Sequence, residues 1–193
     1  MIEVIIVLAI IGILLTLGVP SMRNWIEDTK IRSIAESIRS GTQLARGEAI
    51  RLNELVRFQL TSSLTSSCVL SSAATNWVVS IDNPAGSCDS TPAPQSTILT
   101  SAAPRIIQTS LGAEGGASNY TINANGDMLI FNGAGRLSTG SNINDIEIPA
   151  FDNRCQHLGG NLRCLRIRVL AGGDAVICDP KVTATSDVRF CPT

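Results

Sequence analysis

Glu3 is the one charged side chain in the run Met1–Val19, which is otherwise apolar apart from Gly12, Thr16 and Gly18. A carboxylate left unpaired in hydrocarbon costs several kcal/mol, so its chemistry is charge pairing, with a proton or cation supplied from elsewhere. The second reactive set is six cysteines: Cys68, Cys88, Cys155, Cys164, Cys178 and Cys191. None forms a CxxC pair and the chain has one histidine, so a zinc site is not expected. An even count beyond an apolar anchor reads instead as disulfides in an oxidising compartment. Neighbours are expected to pair in order, because each such pair brackets a hairpin or loop. In the chain-entropy picture each bridge adds roughly 2–4 kcal/mol.

The third set is basic. From Arg154 onward, six basic residues face three acids, whereas from Glu54 onward nine basic residues face eleven acids. Arg166 and Arg168 share a strand face by the period-two rule, and Arg163 is offset to the other. With Arg189 they could form a weak phosphate-binding stripe, against which an ordinary solvated sheet face is the favoured reading. The formal net charge of −1 argues against a globally basic nucleic-acid binder. His157 lies in the glycine-bounded stretch Cys155-Gln156-His157-Leu158-Gly159 and reads as a loop residue. No nucleophile signature, phosphate loop or supported carboxylate pair is present, so no enzyme is expected. Asp82, Asp89 and Asp145 lack calcium-loop spacing, and no metal, cofactor or small-molecule substrate is expected.

These groups need a scaffold. A chain of 193 residues is one domain, or a domain plus an appendage. Residues from Ile2 to about Asn53 read as one helix in two unlike halves. The run Ile2–Val19 spans about 27 Å, close to the hydrocarbon thickness of a bilayer. It has no basic stretch before it and no small-residue cleavage site after it, so it does not read as a cleaved signal. Gly18 and Pro20 are expected to bend the helix where it leaves the membrane. Beyond them Ile31, Ile34, Ile38, Ala45, Ala49 and Leu52 recur at three- and four-residue steps, with Arg32, Glu36, Arg39 and Arg46 on other faces. That pattern is an amphipathic helix whose apolar stripe needs cover.

Short strands supply it. Expected strands are Val56–Leu60, Trp77–Ile81, Tyr120–Ile122, Met128–Phe131, Ile143–Ile148, Leu162–Leu170 and Val176–Cys178. Hairpin-type turns are read at Asn125-Gly126-Asp127, Asn132-Gly133-Ala134-Gly135 and Gly172-Gly173-Asp174. Stretches 62–67 and 82–96 read as surface loops, and no internal repeat is visible. Aromatics are only 4% of residues, so the core is small and covalent ties would help it. The expected division is a transmembrane or filament-core half of the helix at 1–20, an amphipathic half at 21–53, and a disulfide-bearing β-rich head at 54–193.

The run Met1-Ile2-Glu3-Val4-Ile5-Ile6-Val7-Leu8-Ala9-Ile10-Ile11-Gly12-Ile13-Leu14 resembles the N-terminus of mature type IV pilins and type II secretion pseudopilins. Pro20-Ser21 is similar to the helix bend of that class. Gln43-Leu44-Ala45-Arg46-Gly47-Glu48-Ala49-Ile50-Arg51 resembles the "LQLARAEAVRR" stretch of the GspH/FimT family. Phe131-Asn132-Gly133-Ala134-Gly135-Arg136 resembles its "FNGLGR" turn. Cys178-Asp179-Pro180 and Arg189-Phe190-Cys191-Pro192 resemble its closing "CDP…DPRACP" loop.

The resemblance implies a pilin fold of class α+β: a long N-terminal helix packed on a mostly antiparallel sheet. It implies a structural subunit, a minor pilin or pseudopilin, that waits in the bacterial inner membrane with a periplasmic head and then enters a filament with other pilin or pseudopilin subunits. It also implies that a short stretch and a basic leader precede Met1. Glu3 would set axial register against a neighbour's N-terminal amine, which offsets the burial of both charges. Ile5, Ile6, Leu8, Ile11, Leu14 and Leu15 would pack the filament core, and Cys178–Cys191 would close the terminal loop. Two related roles compete: a tip component of a type II secretion pseudopilus, and a DNA-binding minor pilin for transformation that uses Arg163, Arg166, Arg168 and Arg189. DNA-binding members carry a basic glycine–arginine turn before the penultimate cysteine. Here Asp174, Ala175 and Val176 take the arginine positions, and an acid there repels phosphate.

Overall fold

The computed structural model describes residues 2–112, 120–149 and 153–192, with side chains in the first helix given at 2–4, 6, 7, 10, 11 and from 22 onward. The expectations for Ile5, Leu8, Leu14 and Leu15, and for the side chains of Gly18 and Pro20, therefore lie outside the described residues.

One helix, α1 (Ile2–Leu52), runs for 51 residues, about 76 Å at the standard rise, and its helical assignment continues through Gly18 and Pro20. Its apolar stripe is used as the period demands. Ile31, Ile34, Ala35, Ile38, Ala45 and Ala49 are completely buried, and Leu52 is half-buried. What buries them is a pair of sheets: β1 (Val56–Thr61), β2 (Asn76–Ser80), β3 (Ile106–Ser110) and β5 (Met128–Phe131) in one, and β4 (Asn123–Ala124), β6 (Asp145–Ile148), β7 (Leu165–Val169) and β8 (Ala175–Cys178) in the other. The strand orders are β3-β2-β1-β5 and β4-β6-β7-β8, and every pairing is antiparallel. α1 packs on β1, β2 and β5 of the first sheet and on β6, β7 and β8 of the second. Phe58, Leu60, Trp77, Val79, Leu129, Phe131, Ile146, Ile148 and Ile167 join the helix in one core.

The architecture is α+β, with two four-stranded sheets in place of the single sheet expected. Three local readings change for physical reasons. β3 has no counterpart among the expected strands, because its polar end Gln108-Thr109-Ser110 sits on a sheet edge and shows no apolar alternation. The strand expected at Tyr120–Ile122 forms at Asn123–Ala124, and those expected from Ile143 and Leu162 begin at Asp145 and Leu165. The Asn125-Gly126-Asp127 turn closes no hairpin: it carries the chain from β4 in one sheet to β5 in the other. Asparagine side chains make that crossing. Asn142 Oδ1 accepts from the amides of Asp127 (3.0 Å) and Met128 (2.8 Å), and Asn125 Oδ1 accepts from those of Asn144 (2.9 Å) and Asp145 (3.0 Å). The same donor and acceptor groups that make Asn a turn former here stitch two separate segments.

Three disulfides join neighbouring cysteines, Cys68–Cys88, Cys155–Cys164 and Cys178–Cys191. The second closes a loop that holds a short 3-10 turn, Gln156–Leu158. The third ties the end of β8 to the C-terminal tail, where the Asp179 amide also donates to the Arg189 carbonyl at 2.8 Å.

Candidate functional site

The described side chains of the first three turns of α1 are bare. Ile2 is 74% exposed, and Ile6 and Ile10 are each 53% exposed, so the side chains at four-residue spacing form an uncovered apolar ridge. Val4, Val7 and Ile11 are exposed beside it. Glu3 stands on this segment, exposed and without an ion pair among the described residues. Among the described residues no helix is long and apolar enough to cross a membrane, and the side chains of 12–20 fall outside them. Apolar surface at this scale, spread around more than half of the helix, marks a contact that the chain does not make with itself.

The head grips the upper half at three polar points as well as through the core. Near the bottom, Arg154 Nη1 meets Glu27 Oε2 at 2.8 Å and the Arg163 amide donates to Asp28 Oδ1 at 2.8 Å. Arg154 directly precedes the Cys155–Cys164 loop and Arg163 is its last residue before Cys164, so a covalently closed loop holds the helix soon after Pro20. In the middle, Trp77 Nε1 donates to Ser37 Oγ at 3.0 Å. Near the top, Arg46 Nε donates to the Gly135 carbonyl at 2.9 Å, and its Nη1 pairs with Asp174.

The top grip unites motifs that are distant in sequence. Asn132 Oδ1 accepts from the amides of Ala134 (3.0 Å) and Arg136 (3.1 Å), which shapes the turn after Phe131. Gly135 completes it at φ +70°, a left-handed conformation that glycine adopts without strain. Gly173, at φ +86°, lets the β7–β8 turn lie against the Phe131 ring, which a Cβ there would meet at 2.8 Å. Asp174 is thus turned toward α1 and spent on Arg46.

The four candidate phosphate-binding arginines fall into two places. Arg166 and Arg168 face β6, whose register sets Arg168 opposite Asp145 and Arg166 opposite Glu147. Arg168 Nη1 lies 3.0 Å from Asp145, and Arg166 lies 3.4 Å from Glu147 and 3.5 Å from Asp145. His157 Nε2 comes within 3.5 Å of the same Glu147 carboxylate. Arg163 and Arg189 belong instead to the corner between α1 and the tail. There Arg163 pairs with Asp179 at 3.1 Å and Arg189 with Asp187 at 2.7 Å. Hydrogen bonds from the Arg189 side chain hold the Asp187 carboxyl down to about 2. Each of the four therefore has its own carboxylate, and no continuous basic stripe forms.

That corner is the groove between α1 and β8. It has a volume of about 550 Å3 and is lined by Trp25, Arg32 and Arg39 from the helix and by Arg163, Leu165, Ile177 and Arg189 from the head. Trp25 and Arg39 carry no sequence signal of a binding role; on the helix pattern they are simply off the buried stripe. Among the described residues no cluster of His, Cys, Asp and Glu could hold a metal ion.

The family model for the type II transport protein GspH matches residues 35–173. Among solved structures the type IV minor pilin FimU of Pseudomonas aeruginosa is matched with a TM-score of 0.47 and 15% identity, over 78% of this chain and 97% of that one. No curated protein matches the chain.

Proposed function

The chain belongs to the GspH family, a family of pilin-like structural subunits, and from that premise we propose that it assembles into, or caps, a type IV pilus-like filament. The observation that carries this reading is the division of α1: its upper half is sealed by two sheets, while Ile2, Ile6 and Ile10 are left bare below. A bare apolar helix is covered first by the inner membrane and then by the helices of neighbouring subunits. Transfer between those two covers is the mechanism of assembly.

Glu3 supplies register. In the membrane its carboxylate sits near the interface. In the filament it pairs with a neighbour's N-terminal amine, and the pairing offsets the desolvation of both groups. Ile5, Ile6, Leu8, Ile11, Leu14 and Leu15 fill the core around it. The head faces the periplasm, where its three disulfides are stable.

Glu3→Ala tests this reading in the full chain. The variant is expected at normal levels in the membrane, with its incorporation into sheared filaments strongly reduced. Normal incorporation would remove the register role.

A further inference from the structure

The groove between α1 and β8 combines three features that rarely meet on a surface with no partner. Trp25 stands at its helical wall with 67% of its area exposed. Leu165 and Ile177 supply an apolar floor. Three of its four guanidinium groups are matched, Arg32 by Glu36 at 2.8 Å, Arg163 by Asp179 and Arg189 by Asp187. The fourth, Arg39, is exposed and has no partner among the described residues. Exposed Trp and unspent Arg beside an apolar floor are the side chains that dominate protein–protein contacts. The surrounding head is net acidic from Glu54 onward, so the open cation is a local feature and not part of a general basic surface.

We propose that this groove seats a neighbouring subunit of the filament, which places apolar side chains against Trp25, Leu165 and Ile177 and, about 20 Å up the helix from Trp25, a carboxylate on Arg39. The proposal rests on the filament-subunit reading and adds a contact above the helical core. Charge favours this occupant over nucleic acid. A phosphate backbone gains by neutralising several free cations at once, whereas the groove offers one, with carboxylates of its own at the other three. A segment with one acid at one end and apolar side chains along the rest matches that arrangement.

The test uses the full-length chain in its own cells, with a photo-crosslinking residue at Thr29, which lines the groove, or at Ile6 on the bare helix. The expected result is a Thr29 crosslink to a pilin-family subunit, at a peptide with apolar residues and an Asp or Glu several positions along it. Adding Arg39→Glu should lower that yield by at least about fivefold, the loss of one partly desolvated charge pair, and leave the Ile6 crosslinks and the membrane level unchanged. Thr29 crosslinks only to nucleic acid, or none, with Ile6 still joined to subunits, would overturn the groove and leave the filament reading standing. If neither position joins a subunit, both fall. An unchanged Thr29 yield in the Arg39→Glu variant would also overturn the proposal.

Discussion

Arg46 and Asp174, 128 positions apart in the chain, form an ion pair that fastens the β7–β8 turn to α1. The same guanidinium donates to the Gly135 carbonyl, so one helical side chain holds two turns from different sheets. Asp174 is therefore part of the helix–head joint. Arg46→Ala is expected to cost about 1–2 kcal/mol, because it strips a partner from a carbonyl and a carboxylate together. Asp174→Ala should cost under about 1 kcal/mol, since its carboxylate is mostly exposed. Thermal unfolding of both singles and the double in detergent checks this; a coupling well above 1 kcal/mol would contradict it.

Gly41 and Gly47 sit six residues apart on α1, on different faces, and should respond oppositely to alanine. A Cβ on Gly41 would come within 2.8 Å of the Phe58 ring and 2.9 Å of the Trp77 ring, which themselves stack at 5.8 Å between centroids. A Cβ on Gly47 would meet nothing within 4 Å. Gly41→Ala should destabilise by roughly 1–3 kcal/mol through overpacking. Gly47→Ala should stabilise by about 0.5–1 kcal/mol through helix propensity. Opposite shifts in melting temperature are the expected readout.

Asp82 gives the head a defined acid limit. Arg105 donates to it from Nε (2.8 Å), Nη2 (2.8 Å) and its own amide (3.0 Å), and the side-chain hydrogen bonds lead in drawing the Asp82 carboxyl down to about 2. A carboxylate lowered on folding binds its proton more weakly in the folded state. Its stabilisation, up to about 2 kcal/mol, is complete above pH ~4 and is lost as the pH falls toward 2. Asp82→Asn should lower stability at pH 6 and flatten the decline between pH 4 and pH 2. Urea midpoints across that range provide the measurement, and an unchanged slope would count against the assignment.

DNA binding by Arg163, Arg166, Arg168 and Arg189 should be weak, because each guanidinium already has a carboxylate. The purified chain is expected to leave duplex DNA unshifted even at low salt, where phosphate contacts are strongest. An Asp145→Asn, Glu147→Gln variant frees Arg166 and Arg168 and should bind more tightly. Retardation by the unaltered chain would restore the transformation role.

The helix and its buried stripe were legible because a 3.6-residue period is written locally, from Ile31 to Ala49. Strands with apolar cores, such as Met128–Phe131, were legible for the same reason. The division into two sheets was not, since it depends on Asn125 and Asn142 bonding to backbone far along the chain. The arginines show the same limit. Period two places Arg166 and Arg168 on one face, but only the β6–β7 register reveals that Glu147 and Asp145 stand opposite. At Gly41 the rings of Phe58 and Trp77 from β1 and β2 fill the space a Cβ would take, a requirement that no helix period contains.

All three disulfides lie at or beyond Cys68, and none reaches α1. Tension applied along the rod would thus meet one covalent tie between shaft and cap, the backbone link at 53–55. The load falls on buried isoleucines and a few directional bonds, which yield together once the shaft begins to slide. The cap, stapled within each loop, stays tethered through that link, so the noncovalent joint can yield and close again without the chain parting.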